Sequence, residues 1–271
     1  QQGNKFNTVA LDNGTTVKFL GNATFNGGTT IEANSTLQIG GNYTAGFVAS
    51  ADGTGIVEFV NTGPITVTLN KQAAPVNGLK QITVSGPGNV VINEIGNAGN
   101  YHGAATDTIA FENSSLGAAL FLPNGIPFND AGNTIPLTIK STVGNETATG
   151  FDVPRVIVLG VDSVIADGQV IGDQNNIVGL GLGSDNGIIV NATTLYAGIG
   201  TINNNQGTVT LSGGVPNTPG TVYGLGGLGT GIGASQLKQV TFTTDYNNLG
   251  NIIATNATIN DGVTVTTGGI A

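Results

Sequence analysis

Apolar residues in this chain come in short runs, and the positions between the runs are mostly Asn, Gly and Thr. Residues 65–69 show the pattern clearly. Ile65, Val67 and Leu69 alternate with Thr66 and Thr68, the period-2 signature of a strand buried on one face. Similar runs fall at 15–20, 23–25, 29–31, 36–39, 55–60, 79–84 and 89–95. They resume at 108–111, 119–122, 137–141, 155–159, 188–190, 208–211, 237–242, 252–254 and 256–265. β-Branched and aromatic residues favour the pleated backbone, and Asn and Gly supply the positive-φ positions of tight turns. No stretch holds i, i+3, i+4 apolar spacing free of glycine over three turns, so helix content is expected to be low.

Strands this short suit a parallel β-helix, in which each coil holds two or three strands and pairs with the coils above and below. The pattern predicts an all-β fold, a right-handed parallel β-helix (β-solenoid) with projecting Gly/Asn-rich loops. It predicts one solenoid segment over residues 1–271. The alternation assigns Val17, Phe25, Ile31, Ile39, Val67, Leu69, Ile82, Val84, Val209, Val240, Ile259 and Val265 to the interior.

Self-similarity supports a stack of like units. Residues 22–31 (Asn-Ala-Thr-Phe-Asn-Gly-Gly-Thr-Thr-Ile) return at 256–265 (Asn-Ala-Thr-Ile-Asn-Asp-Gly-Val-Thr-Val). Residues 79–84 (Leu-Lys-Gln-Ile-Thr-Val) return at 237–242 (Leu-Lys-Gln-Val-Thr-Phe). The Thr-Val-Thr-Leu of 208–211 resembles 66–69, and both precede a Leu-Lys-Gln run. On that comparison the glycine-dense stretch 212–235 reads as an inserted loop. So does 161–185, punctuated by Gly and Asp, and 96–106 and 123–134 read as further loops.

Composition narrows the function. Only 8% of residues are charged, against roughly 25% in an ordinary domain, and 45 are glycine. No apolar run approaches the ~18 residues of a membrane-spanning helix. Net charge is −9 with scattered cations, which argues against nucleic acid as a partner. There is no Cys, so disulfides, Cys-based zinc sites and thiol chemistry are excluded. The polar start Gln1-Gln2-Gly3-Asn4 and the glycine-rich end read as a segment of a longer protein.

Candidate chemistry is sparse. Gly224-Leu-Gly-Gly-Leu-Gly229 matches the dinucleotide fingerprint, but Thr230-Gly-Ile-Gly233 follows where a helix must open to hold pyrophosphate. Residues 181–187 hold a single imperfect copy of a calcium nonapeptide, a motif that works only when stacked. Asp162, Asp167, Asp173 and Asp185 sit in glycine-rich surroundings and are the acids to weigh for calcium. Polysaccharide-cleaving solenoids need carboxylates held together, or a carboxylate beside a cation. Here the acids are dispersed, and His102 and Arg155 are the only residues of their kinds. Sequons occur at Asn13, Asn22, Asn34, Asn42, Asn113, Asn145, Asn191 and Asn256, where frequent Asn and Thr make them expected by chance. The sequence therefore predicts no enzyme, no catalytic or metal-binding residue and no cofactor. A glycan-processing or glycan-binding β-helix is the alternative.

The residues also carry a resemblance. The run 247–265 (Asn-Asn-Leu-Gly-Asn-Ile-Ile-Ala-Thr-Asn-Ala-Thr-Ile-Asn-Asp-Gly-Val-Thr-Val), with 206–214 and 237–242, resembles passengers of the rickettsial surface-cell-antigen autotransporters, and the likeness extends over the whole chain. The resemblance implies export across the outer membrane through a C-terminal β-barrel and display at the bacterial surface. It implies a surface-layer role, and adhesion to and entry into host cells. Expected partners are a host-cell surface protein, the rest of the passenger with its barrel, and protein-lysine methyltransferases. Lys5, Lys18, Lys71, Lys80, Lys140 and Lys238 are the candidate methylation positions. No receptor-binding residue carries over.

Overall fold

The structure, a computed structural model, describes residues 7–51, 53–70, 79–95, 106–112, 119–123, 138–141, 156–173, 178–215, 218–226 and 236–270. Among these, every regular element is a strand and every ladder is parallel. One isolated antiparallel bridge joins Val215 and Thr218. The chain divides into two compact units, Gln1–Leu137 and Thr138–Ala271.

The first unit begins with coils of three strands: β1 (Val9–Leu11), β2 (Thr16–Phe19) and β3 (Ala23–Thr24), then β4 (Thr29–Ile31), β5 (Thr36–Ile39) and β6 (Tyr43–Thr44). β7 (Phe47–Ala49), β8 (Thr54–Phe59) and β9 (Ile65–Asn70) follow, then β10 (Leu79–Val84), β11 (Val90–Ile95), β12 (Thr106–Phe111) and β13 (Ala119–Leu122). They form parallel sheets in the orders β1-β4-β7, β2-β5-β8-β10-β12 and β3-β6-β9-β11-β13. The first advance is 20 residues in each sheet, from Val9 to Thr29, Thr16 to Thr36 and Ala23 to Tyr43. Such regular advance is the parallel β-helix that the alternating pattern predicts.

Register converts the alternation into inward files. Leu37, Val57, Ile82 and Ile109 stack on one another, and Ile39, Phe59, Val84 and Phe111 form the file beside them. All eight are at most 1% exposed. Burying one such side chain contributes roughly 1.5–3 kcal/mol, so the core is an additive series of small terms along the stack.

The second unit holds β14 (Thr138–Ser141), β15 (Val156–Leu159), β16 (Ser163–Ile165), β17 (Val170–Ile171), β18 (Val178–Leu182), β19 (Gly187–Val190) and β20 (Thr194–Thr201). It continues with β21 (Gln206–Leu211), β22 (Gly220–Leu225), β23 (Leu237–Phe242), β24 (Tyr246–Ile252), β25 (Ala254–Ile259) and β26 (Val265–Ile270). β14 pairs with β17, and two longer sheets run β15-β18-β20-β22-β24-β26 and β16-β19-β21-β23-β25. Ile157, Leu180, Ile199, Leu225 and Ile252 make the inward file of the first of these.

Both supposed insertions contain stacked strands. Residues 161–185 include β16, β17 and β18, with Ile165, Ile171, Leu180 and Leu182 buried. Residues 212–235 include β22, paired to β20 on one side and β24 on the other, with Val222 and Leu225 at 0% exposure. Glycine density misled the reading because glycines here stack on glycines inside a sheet. Gly179 pairs with Gly198, and Gly198 with Gly224. The expected loops 96–106 and 123–134 lie almost wholly outside the described residues.

The Leu-Lys-Gln pair is a true structural repeat. Leu79 and Leu237, Ile82 and Val240, Val84 and Phe242 all point inward, while Lys80 and Lys238 are exposed. The strand one coil earlier carries a positive-φ glycine in each case, Gly55 (72°) and Gly207 (76°), just after the partner of the leucine. β21 is thus the counterpart of β8. Thr66–Thr68 belong to β9, which pairs with β11 and not with the Leu-Lys-Gln strand β10, whereas β21 pairs directly with β23, and this removes the basis for reading 212–235 as inserted.

The 22–31 and 256–265 copies are alike in local turn chemistry rather than in coil position. In the first, Phe25 (5% exposed) and Ile31 (0%) are buried. In the second, Ile259 is 46% exposed and Val265 half-buried, correcting their assignment to the core. Among the described residues β25 and β26 each pair on one side only, which leaves their other edge open. Val17 on β2, likewise an edge strand, is half-buried for the same reason. The other nine core assignments hold.

Candidate functional site: the turns and outer faces

The polar side chains of the turns act mainly on the backbone of neighbouring coils. Asn22 Oδ1 accepts from Asn42 N–H (3.0 Å), and Asn42 Oδ1 from Thr66 N–H (2.8 Å). Asn89 Oδ1 accepts from Ala119 N–H (3.0 Å). In the second unit Asp162 Oδ1 accepts from Gly187 N–H (2.7 Å), Asp185 Oδ1 from Gly207 N–H (3.3 Å), Asn204 Oδ1 from Gln236 N–H (3.0 Å) and Asp245 Oδ1 from Thr264 N–H (2.8 Å). In each case the earlier coil supplies the side-chain oxygen and the later coil the N–H. Turn backbone donors need partners when coils stack, and a short Asn or Asp reaches across the ~4.8 Å between strands.

These contacts also place the residues that the sequence singled out. Asp162 and Asp185 are turn acceptors, and Asp167 Oδ1 accepts locally from Gly168 N–H (3.0 Å). Asp185 additionally meets the Lys238 ammonium at 2.6 Å, each side chain about half exposed (49% and 51%). That hydrogen bond from Lys238 holds the Asp185 carboxyl below the usual carboxylate range. Among the described residues no three acids or His converge as a metal cluster. Gly224 lies in β22, and Gly226 donates its N–H to Ile199 O (2.8 Å), so this part of the glycine motif is a paired strand end. Residues 227–235, His102 and Arg155 lie outside the described residues. Among the sequons, Asn22 and Asn42 are coil-to-coil acceptors, and Asn191 Oδ1 accepts from Ser212 Oγ (2.7 Å).

Sequence reasoning missed two buried tyrosines. Tyr43 is fully buried against Phe19 (6.1 Å between ring centroids) and Phe25 (5.8 Å), and its hydroxyl pairs with the Thr29 hydroxyl. Burial pushes its phenol up to about 12. Tyr246 packs on Phe242 (6.2 Å), donates to Ala192 O (2.9 Å) and accepts from Gly213 N–H (3.2 Å). Each begins a strand just after a turn residue, Asn42 or Asp245, so each resembled turn material.

The outward files are mostly neutral. Thr24, Thr44 and Thr68 form one. Lys18, Gln38 and Glu58 form another, in which Gln38 Nε2 donates to Glu58 (2.7 Å) and Ser85 Oγ does likewise (2.6 Å).

Comparison with known proteins accounts for this economy. The family model for Rickettsia outer membrane protein B, passenger domain, matches residues 1–271. The chain is 93% identical to outer membrane protein B of Rickettsia conorii, 92% to that of Rickettsia rickettsii and 65% to that of Rickettsia prowazekii. Each match covers all of this chain and 16% of the relative. No solved structure matches it. A passenger is the exported part of an autotransporter, which places this segment at the bacterial cell surface. Stacked coils with their turn polar groups committed to one another are thus a stretch of surface passenger, and the chain belongs to the passenger-domain family of Rickettsia outer membrane protein B.

Proposed function

We propose that this segment is a non-catalytic module of a bacterial surface layer that also serves adhesion to and entry into host cells. The observation that supports this is the commitment of turn carboxylates and carboxamides to coil stacking. Asp162, Asp185, Asp245, Asn22, Asn42 and Asn89 each accept from a backbone N–H of the next coil. A group so engaged holds structure and is poorly placed for acid–base work, which needs a free lone pair at a substrate. Its outer faces and turns remain for contact with a host-cell surface protein, with other parts of the passenger and its barrel, and with protein-lysine methyltransferases at exposed Lys18 and Lys80.

Beads carrying the full chain should bind host cells, and protease treatment of those cells should abolish the binding. The same preparation, incubated with a panel of acidic and neutral polysaccharides, should release no reducing ends. Protease-insensitive binding that a soluble glycan competes away, or cleavage of any polysaccharide, would overturn the proposal in favour of a glycan-directed β-helix.

A further inference from the structure

We propose that the outer face of the β16-β19-β21-β23-β25 sheet is a self-association surface, occupied by the same face of a second copy of this chain. The inference rests on the surface-layer reading and assigns that layer a contact. Val164 and Ile189 are each 45% exposed and are register partners, so two large apolar side chains stand side by side in solvent. Their file continues through Thr210, Thr241 and Thr258. All five are β-branched, and such side chains have few rotamers to lose on docking.

The neighbouring outward file is Gly187, Thr208, Gln239 and Asn256. Neither file holds a charge. At the margin Lys238 and Asp185 pair at 2.6 Å, and the Asp162 carboxylate, held by Gly187 N–H, is a single negative charge at the end of the second file. The Gln239 amide is already spent within the face, donating to Val240 O (2.9 Å) and Thr258 Oγ1 (3.0 Å). The outer file Lys18-Gln38-Glu58, by contrast, holds a charge of each sign.

Charge and spacing select the occupant. Copies with net charge −9 repel one another, and an uncharged face is where they approach at least cost. Rows ~4.8 Å apart are matched throughout only by a partner with the same repeat, and a second solenoid has it. Five strands and two outward positions give on the order of 400 Å² per copy, about half of what a standard stable interface buries on each side. The contact is therefore weak between free copies and accumulates where many copies are held on one surface.

Thr210 is central in its file of five, so a two-fold arrangement that overlaps the whole file, with its axis over the file's centre, brings Thr210 opposite itself. The chain has no Cys, so Thr210→Cys introduces a unique thiol. With the full chain tethered densely to a surface, oxidation of T210C should give disulfide dimers at least roughly tenfold faster than Thr24→Cys, an exposed position on the outer face of another sheet. Adding Ile189→Lys should cut that rate roughly tenfold by opposing like charges, with an unchanged far-UV spectrum. Equal rates for T210C and T24C, or a T210C rate insensitive to I189K, would overturn the face assignment. Host-cell binding measured on the same beads separates the two failures. If binding persists while T210C does not cross-link, the face is wrong and the adhesive reading stands.

Discussion

At the scale of single residues, Tyr43 shows how the stack handles a polar atom in its interior. Its ring fills space between Phe19 and Phe25, and its hydroxyl is satisfied by Thr29 from the same coil. Tyr43→Phe leaves the buried Thr29 hydroxyl without that partner, and a loss of about 1–3 kcal/mol in denaturant melts is expected. The pH dependence follows in sign. The folded phenol sits near 12 and the unfolded one near 10, so above pH 10 the unfolded chain sheds its proton first. Stability from this group is full below pH 10 and is lost as pH rises from 10 to 12. Thermal melts across that range should fall less steeply for Tyr43→Phe than for the parent chain. Val67, at 0% exposure, tests the inward assignment directly. Val67→Asp should cost several kcal/mol, the effective penalty of burying an unpaired charge, and an unchanged melting point would refute that burial.

At the scale of elements, the coil-to-coil acceptors decide how firmly each turn is held. Asn42→Ala removes the acceptor for Thr66 N–H and should cost about 1 kcal/mol, whereas Asn42→Asp keeps an oxygen there and should recover most of it. Equal losses for the two variants in urea melts would show that this bond contributes nothing. Gly220 illustrates a tighter constraint, because a methyl group there would overlap the ring of Tyr246. Gly220→Ala should cost about 1–3 kcal/mol by overpacking. Strands whose outward positions are Thr were legible from the sequence, since Thr breaks up the apolar file visibly, as in β9 and β21. Strands whose alternate positions are Gly were not. Val178, Leu180 and Leu182 alternate with Gly179 and Gly181 in the same period, yet glycine signals a loop when read locally. Only the register, which sets Gly179 on Gly198, supplies the reason for it. Candidate chemistry followed the same rule. Asp162 and Asp185 could be listed from the sequence, but their backbone partners lie 25 and 22 positions further on and belong to the next coil.

At the scale of the whole molecule, repeats revealed the architecture, while coil equivalence depended on strand register. The Leu-Lys-Gln runs predicted like units and are like units, down to the positive-φ glycine one coil before. The Thr-Val-Thr-Leu likeness matched β21, which pairs directly with β23, to β9, which does not pair with β10, and so created an apparent insertion at 212–235. Two readings of that stretch make opposite predictions. If it were an inserted loop, deleting it would leave the second unit folded and merely alter recognition. β22 instead sits between β20 and β24 and buries Val222 and Leu225 completely. Its removal would take one strand from a ladder whose inward file runs Ile199, Leu225, Ile252. β20 and β24 could meet only if the coil between them, β21 included, were also lost or shifted. In a nearest-neighbour stack, losing one rung removes its own burial and both of its interfaces. Replacing 212–235 by a short turn should therefore unfold the second unit, read as loss of cooperative melting and as rapid proteolysis within 138–271. Survival of a cooperative transition with the parent's midpoint would mean that β22 contributes nothing to the stack.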